Sequence, residues 1–379
     1  MRIVFFYHSL VSDWNHGNAH FLRGVASELQ RRGHEVRIYE PADGWSLRHL
    51  RAQQGVAAVQ AFHAHYPGLR SRFYHLATLD LDAALDGADL VLVHEWNDPA
   101  LVARIGRHHR SHHYRLLFHD THHRSVSAAS GIAAYQLEDY DGVLAFGEAV
   151  RERYLWAGWA ERVWTWHEAA DVHVFRPQPV QDRQADLIWI GNWGDGERDR
   201  ELDEFLLRPA RALGLRGTAH GVRYPRHVRA RLAVAGIDYR GWLANFEVPA
   251  VFARHRVTLH VPRRPYVRAL PGIPTIRVFE ALACGIPLIC APWRDTEGLF
   301  APGEDYLLAK NGAAMRRALR MVLHDADAAA ALARAGRQTI LARHTCAHRV
   351  DELLALYQRL SGAGAAHINR AHPASAPHV

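Results

Sequence analysis

The chain has 379 residues, enough for two domains that each bury a core of their own. Its formal charge of +7 is almost all arginine, since Lys310 is the single lysine; the arginines are interspersed with Asp and Glu, a pattern of GC-rich, bacterial codon usage. That speaks against nucleic-acid binding and leaves open only a weak peripheral attraction to anionic lipid or to a phosphorylated acceptor. Three cysteines, Cys284, Cys290 and Cys346, exclude a disulfide framework, and without an 18-residue apolar run or a signal-peptide pattern a cytoplasmic protein is expected.

The first unit reads as β-α-β. Ile3 to Tyr7 is an uninterrupted apolar run, Phe21, Leu22, Val25, Ala26 and Leu29 recur at helical spacing, Gly33 stops the helix, and Val36, Ile38 and Tyr39 form the next strand. The loop from His8 to Gly17 contains no G-x-G-x-x-G, so a dinucleotide fingerprint is absent and dehydrogenase chemistry is demoted. Helical material is expected from Ser46 to Ala64 and from Leu101 to Ile105, with strands at Leu90 to His94, Arg115 to Phe118 and Gly142 to Ala145. Strands alternating with helices imply a parallel sheet covered on both faces, with ligands at the carboxyl ends of its strands. Those ends carry His94, Glu95, Trp96 and Asn97, then His119, Asp120, Thr121, His122 and His123. His119, oriented by Asp120, is the candidate general base.

Two metal-like patterns are discounted. His108, His109, His112, His113, His119, His122 and His123 have no Cys or carboxylate at zinc-site spacing and are expected to be solvated. Asp80 and Asp82 form a D-x-D that reads as the start of a helix rather than a diphosphate-metal site. No metal is expected, and no cofactor.

A first domain is expected to end at residue 175, with Phe175 to Pro179 as an extended linker and a second domain over 176–347. That domain opens with a strand at Leu187 to Ile190 and a turn from Gly191 and Asn192 to Arg198; its backbone N–H groups and the Arg198 guanidinium suit a phosphate. Further strand ends fall at His220 and Gly221, at Tyr239 to Trp242, and at Val261. After the last, Arg263 and Arg264 lie between Pro262 and Pro265, held stiffly enough for anion recognition.

The densest pattern is Gly272 to Cys290. Gly272, Ile273 and Pro274 make a turn and Thr275 is a candidate N-cap. Val278, Phe279, Leu282 and Ala283 make an apolar helical stripe, Gly285 is the stop, and Leu288 to Cys290 is a buried strand. The free N–H groups of such a helix start would hold a diphosphate, with Glu280 placed for ribose hydroxyls. The run from Arg277 to Gly285 resembles the donor-site signature of GT-B glycosyltransferases of the group 1 kind, most closely the CgeB-like (spore maturation protein-like) branch. Many group 1 members carry a second glutamate where this chain has Gly272.

The resemblance implies an α/β fold of two Rossmann-like domains facing across a cleft, with a helix at 348–361 packing back on the first domain. A disordered tail is expected over 362–379. It further implies a hexosyltransferase using a nucleotide-diphosphate sugar as substrate, with donor contacts at Gly191, Asn192, Arg198, Arg263, Pro274, Thr275, Arg277 and Glu280. On the acceptor side it implies Gly17 and Asn18, and the strand end at His94 and Glu95 is read as facing the same cleft. The acceptor, the stereochemistry and the oligomeric state stay open, as do a donor-only epimerase or hydrolase and a non-catalytic nucleotide-sugar-binding protein of the same fold.

Overall fold

A computed structural model describes residues 1–179, 183–194 and 196–368, with side chains described to residue 362. The first sheet contains β1 (Arg2–Phe6), β2 (Glu35–Pro41), β3 (Ser71–Tyr74), β4 (Leu90–His94), β5 (Arg115–Asp120), β6 (Gly142–Ala145) and β7 (Val163–Thr165). The second contains β8 (Ala185–Ile190), β9 (Gly217–His220), β10 (Ile237–Tyr239), β11 (His255–His260), β12 (Leu288–Cys290) and β13 (Leu307–Leu308). The strand orders are β3-β2-β1-β4-β5-β6-β7 and β10-β9-β8-β11-β12-β13, and every pairing is parallel.

The order in which strands are added therefore reverses once in each sheet, between β1 and β4 and between β8 and β11. A crevice opens at such a switch point because the two flanking connections leave on opposite faces. The loops after β1, β5, β8 and β11 meet across the gap between the domains.

The helix Ala19–Arg31 is buried almost all round, because the final helix, Cys346–Ile368, crosses it. A Cβ on Gly24 would stand 2.5 Å from the Cys346 sulfur, and Trp166 Nε1 donates to the Arg349 carbonyl at 2.9 Å. The second half of the chain thus returns to the first domain. This helix runs on to Ile368, past its expected end at residue 361. The rest of the expected tail, 369–379, lies outside the described residues. The helix expected over Ser46 to Ala64 spans Trp45–His65 and breaks at Gly55, whose φ is 73°. Among the described residues no helix is long and apolar enough to cross a membrane.

The histidine-rich stretch is the expected solvated patch only at His112 and His113, which are exposed. His119 and His123 are buried, and His109 is half-buried between the carbonyls of Asp139 and Tyr114. Asp80 caps its helix as expected, accepting from Ala83 N at 3.1 Å.

Candidate functional site

Between the sheets lies a cavity of about 450 Å³, within the range of small-molecule sites. A side pocket of about 70 Å³ adjoins it beneath Gly191, His220 and Trp242.

The second domain gives the cavity its charge. Gly191, Asn192 and Arg198 follow β8, Arg263 follows β11, and Thr275, Ile276 and Arg277 begin the helix Ile276–Cys284. Thr275 sits at the N-cap without capping by its side chain; its hydroxyl lies 3.2 Å from His260 Nε2 instead. Val278 N donates to the Thr275 carbonyl at 3.0 Å, which leaves the Ile276 and Arg277 N–H groups as the open donors of the helix start.

Arg198 is 9% exposed. It donates to the carbonyls of Val261 (3.0 Å) and Asn192 and packs over the Trp189 ring, while its buried Nε has no partner. Burial, followed by repulsion from Arg263, brings its pKa down to about 9, with Arg277 adding to the effect. Arg263 pairs with Glu197 at 2.6 Å. The wall is short of negative charge, as an anion site is before its anion arrives.

Glu280 is placed differently from expectation. It is fully buried and lines neither cavity. One carboxylate oxygen accepts from His20 Nδ1 (3.0 Å) and Asn245 Nδ2 (2.7 Å), the other from Arg277. Burial alone would raise its pKa, but Arg277, His20 and Asn245 outweigh that and hold the carboxyl below its ordinary value. The His20 ring is oriented for this by the Asp171 N–H, which donates to Nε2 at 2.7 Å. Glu280 therefore braces Arg277 from beneath and ties the two domains together. Pro274 is buried in the turn behind the helix start.

On the facing side, Gly17 and Asn18 reach the cavity as expected, with Asn15, His16, Trp45, Trp96, His122 and His123. Gly17 has its Cβ position 3.3 Å from Ile276 Cγ2, so a side chain there would fill the gap. Asn18 Nδ2 donates to the Thr121 carbonyl (2.7 Å) and Asn192 Nδ2 to Asn15 Oδ1 across the cleft (2.6 Å).

His119, Asp120, His94 and Glu95 stand behind that wall, and none lines the cavity. The reason is strand length. β5 continues through Asp120, so these side chains still alternate into the two cores. His119 packs on Phe21 and Trp166, its ring nitrogens have no partner, and burial lowers its pKa to about 3. Asp120 accepts from His122 N (3.0 Å) and Tyr154 Oη (2.8 Å). His94 Nε2 lies 2.9 Å from Thr121 Oγ1, and Glu95 accepts from Thr121 N (3.2 Å) and faces Arg124 (3.4 Å); burial and then Asp120 push the Glu95 pKa up.

The imidazoles that do reach the cavity are His16, His122 and His123. His122 is held neutral by burial, with the charges of His123 and Arg263 adding to the effect. Trp45 and His16 had not been singled out, although Trp45 closely follows a strand end and His16 lies in the loop after β1.

Two parallel α/β sheets facing across a cleft, with a C-terminal helix returning to the first domain, define the GT-B architecture of glycosyltransferases. The family described as Glycosyl transferase-like matches residues 198–355. Among solved structures, sucrose-phosphate synthase from Thermosynechococcus elongatus is 15% identical, with 96% of this chain and 100% of that one covered at a TM-score of 0.66. An α-glucosyltransferase in complex with UDP-glucose and abasic DNA gives 11%, 94%, 99% and 0.71. Anabaena Alr3699/HepE in complex with UDP and glucose gives 13%, 95%, 100% and 0.65. No curated protein matches significantly.

Proposed function

We propose that this protein is a glycosyltransferase that takes a sugar from a nucleotide-diphosphate donor and passes it to an acceptor held against the first domain. The observation that carries the reading is the cluster of Arg198, Arg263 and Arg277 around a free helix start, one guanidinium nitrogen buried without a partner. Such a group serves a leaving diphosphate: the charge that develops as the glycosidic bond breaks meets donors already in place. No step of this scheme needs a divalent cation. The structural neighbours seen with UDP or UDP-glucose support this donor class. The side pocket beneath Gly191 and Trp242 has room for part of the nucleoside.

Trp45 and Trp96 line the first-domain side of the cavity, an aromatic surface on which an acceptor can pack, and this favours transfer over donor-only chemistry. His122 is our candidate for the contact to the acceptor hydroxyl. It is neutral at physiological pH, borders the cavity, and stands near Arg263. The CgeB-like branch remains the closest reading of the helix signature.

A thermal-shift panel of UDP, GDP, TDP and their sugars in EDTA tests the reading. One nucleotide diphosphate at 100 times its dissociation constant should stabilise by about 2.7 kcal/mol. A flat response to all of them would overturn it.

A further inference from the structure

We propose that Asp82, His108 and His112 form a binding site for a divalent transition-metal ion of the zinc class, separate from the cleft. His108 lies in the last turn of the helix Pro99–His109 and His112 in the turn that follows, their rings stacked 3.7 Å apart. Asp82 comes to them from the helix Leu81–Leu85. Its Oδ1 is 3.0 Å from His108 Nε2 and 4.0 Å from His112 Nε2, and the three ligand atoms lie within 4.8 Å of one another. In a four-coordinate site with bonds of about 2.0–2.1 Å, ligand atoms stand about 3.3 Å apart. Closing the site therefore needs the exposed His112 ring to rotate out of its stack on His108, so that both Nε2 atoms face the same ion.

Hydrogen bonding on the far side fixes the free nitrogen of His112 and leaves that of His108 switchable. His112 Nδ1 lies 2.6 Å from the His108 carbonyl, which only accepts, so the proton is on Nδ1 and Nε2 presents a lone pair. His108 Nδ1 lies 3.0 Å from Tyr114 Oη and its Nε2 hydrogen-bonds Asp82 Oδ1 at 3.0 Å. When a cation takes the place of that Nε2 proton, the Tyr114 hydroxyl turns to the Ile105 carbonyl (3.4 Å) and accepts from Nδ1–H instead. Two imidazole Nε2 atoms and a carboxylate oxygen are thus gathered at one spot on the surface, where one cation bridges what a single proton on His108 can only link in pairs. Imidazole Nδ1–H groups held by a carbonyl and a hydroxyl are the usual support for metal-binding histidines. Asp82 and His112 have exposed side chains (85% and 43%), which leaves room for water to complete the shell. None of the three lines the cleft cavity, so the ion would cross-link the helix Leu81–Leu85 to the turn before β5 rather than take part in transfer.

The test is titration of untagged, chelator-stripped full-length protein with Co²⁺, read by its visible ligand-field absorption, and displacement with Zn²⁺. One equivalent should bind, and His112→Ala and Asp82→Asn, both exposed changes, should each abolish the signal with the metal-free melting temperature unchanged. His113→Ala should not matter. Tyr114→Phe should weaken binding by about 10–100-fold, as loss of an outer-shell partner does. A wild type that binds neither ion, or a His112→Ala, Asp82→Asn double variant that binds zinc as the wild type does, would overturn the site.

Discussion

At the scale of single residues, burial separates groups that act from groups that support. His119 looked like a base because it follows three apolar residues, but β5 does not stop at Phe118, and the ring ends in the core. His122, three residues on, borders the cavity. If neutral His122 holds the acceptor hydroxyl by a hydrogen bond, His122→Ala should lower kcat/KM by about 10-fold, the cost of one neutral hydrogen bond of about 1.4 kcal/mol, with nucleotide affinity unchanged. His119→Leu should instead act on thermal stability and leave kcat near the wild-type value. Steady-state kinetics and melting of both variants check the assignment; the reverse pattern would restore His119. Glu280 was legible as an important carboxylate but not as a buried one, because sequence spacing does not reveal that His20, from a helix 260 positions earlier, closes over it. The same holds for Gly272: with φ of 88° and a Cβ position 2.7 Å from the Thr296 hydroxyl and the Glu297 carboxylate, it serves a turn that admits no side chain.

At the scale of elements, the βα alternation and the turn-helix-strand of Gly272 to Cys290 were readable because they rest on local chemistry: buried strands without polar interruption, and a glycine stop with φ of 65° at Gly285. The short edge strands β3, β7 and β13 were not, since two to four residues carry no period of their own. The close approach of the loop after β1 to the donor helix is also a tertiary fact. It predicts that Gly17→Val, whose branched side chain would collide with Ile276 and fill the gap, abolishes nucleotide-diphosphate binding without unfolding the protein. Calorimetry with circular dichroism decides this, and a folded variant with wild-type affinity would show that the diphosphate does not pass there.

At the scale of the whole molecule, the sequence announced two domains and a returning helix, but not that so many histidines would be interior. Burial brings His8, His119 and His260 down to about 3 and His220 and His344 to about 4, with His16, His94 and His122 also well below their ordinary value. Between those values and 6.5 the unfolded chain binds protons that the folded chain refuses. Stability is therefore lost as pH falls through about 6.5, by up to about 1.4 kcal/mol per pH unit for each histidine. Glu40, Glu95, Asp120 and Glu168, whose pKa values are raised by burial, act in the opposite sense but are fewer. Urea denaturation should give a lower midpoint at pH 5.5 than at pH 7.5; an equal or higher midpoint at pH 5.5 would mean that the histidines are hydrated.

The central claim is that the second domain holds a diphosphate through arginines and a helix end. Isothermal titration in EDTA, comparing the preferred nucleoside diphosphate with its nucleoside on the wild type and on Arg263→Ala, tests it directly. The account predicts one diphosphate bound per chain, much weaker binding of the nucleoside, and a loss of about 1.5–3 kcal/mol in the variant, the range for hydrogen bonds to charged groups. Equal affinity for nucleoside and diphosphate, or an Arg263→Ala variant that binds as the wild type does, would contradict it.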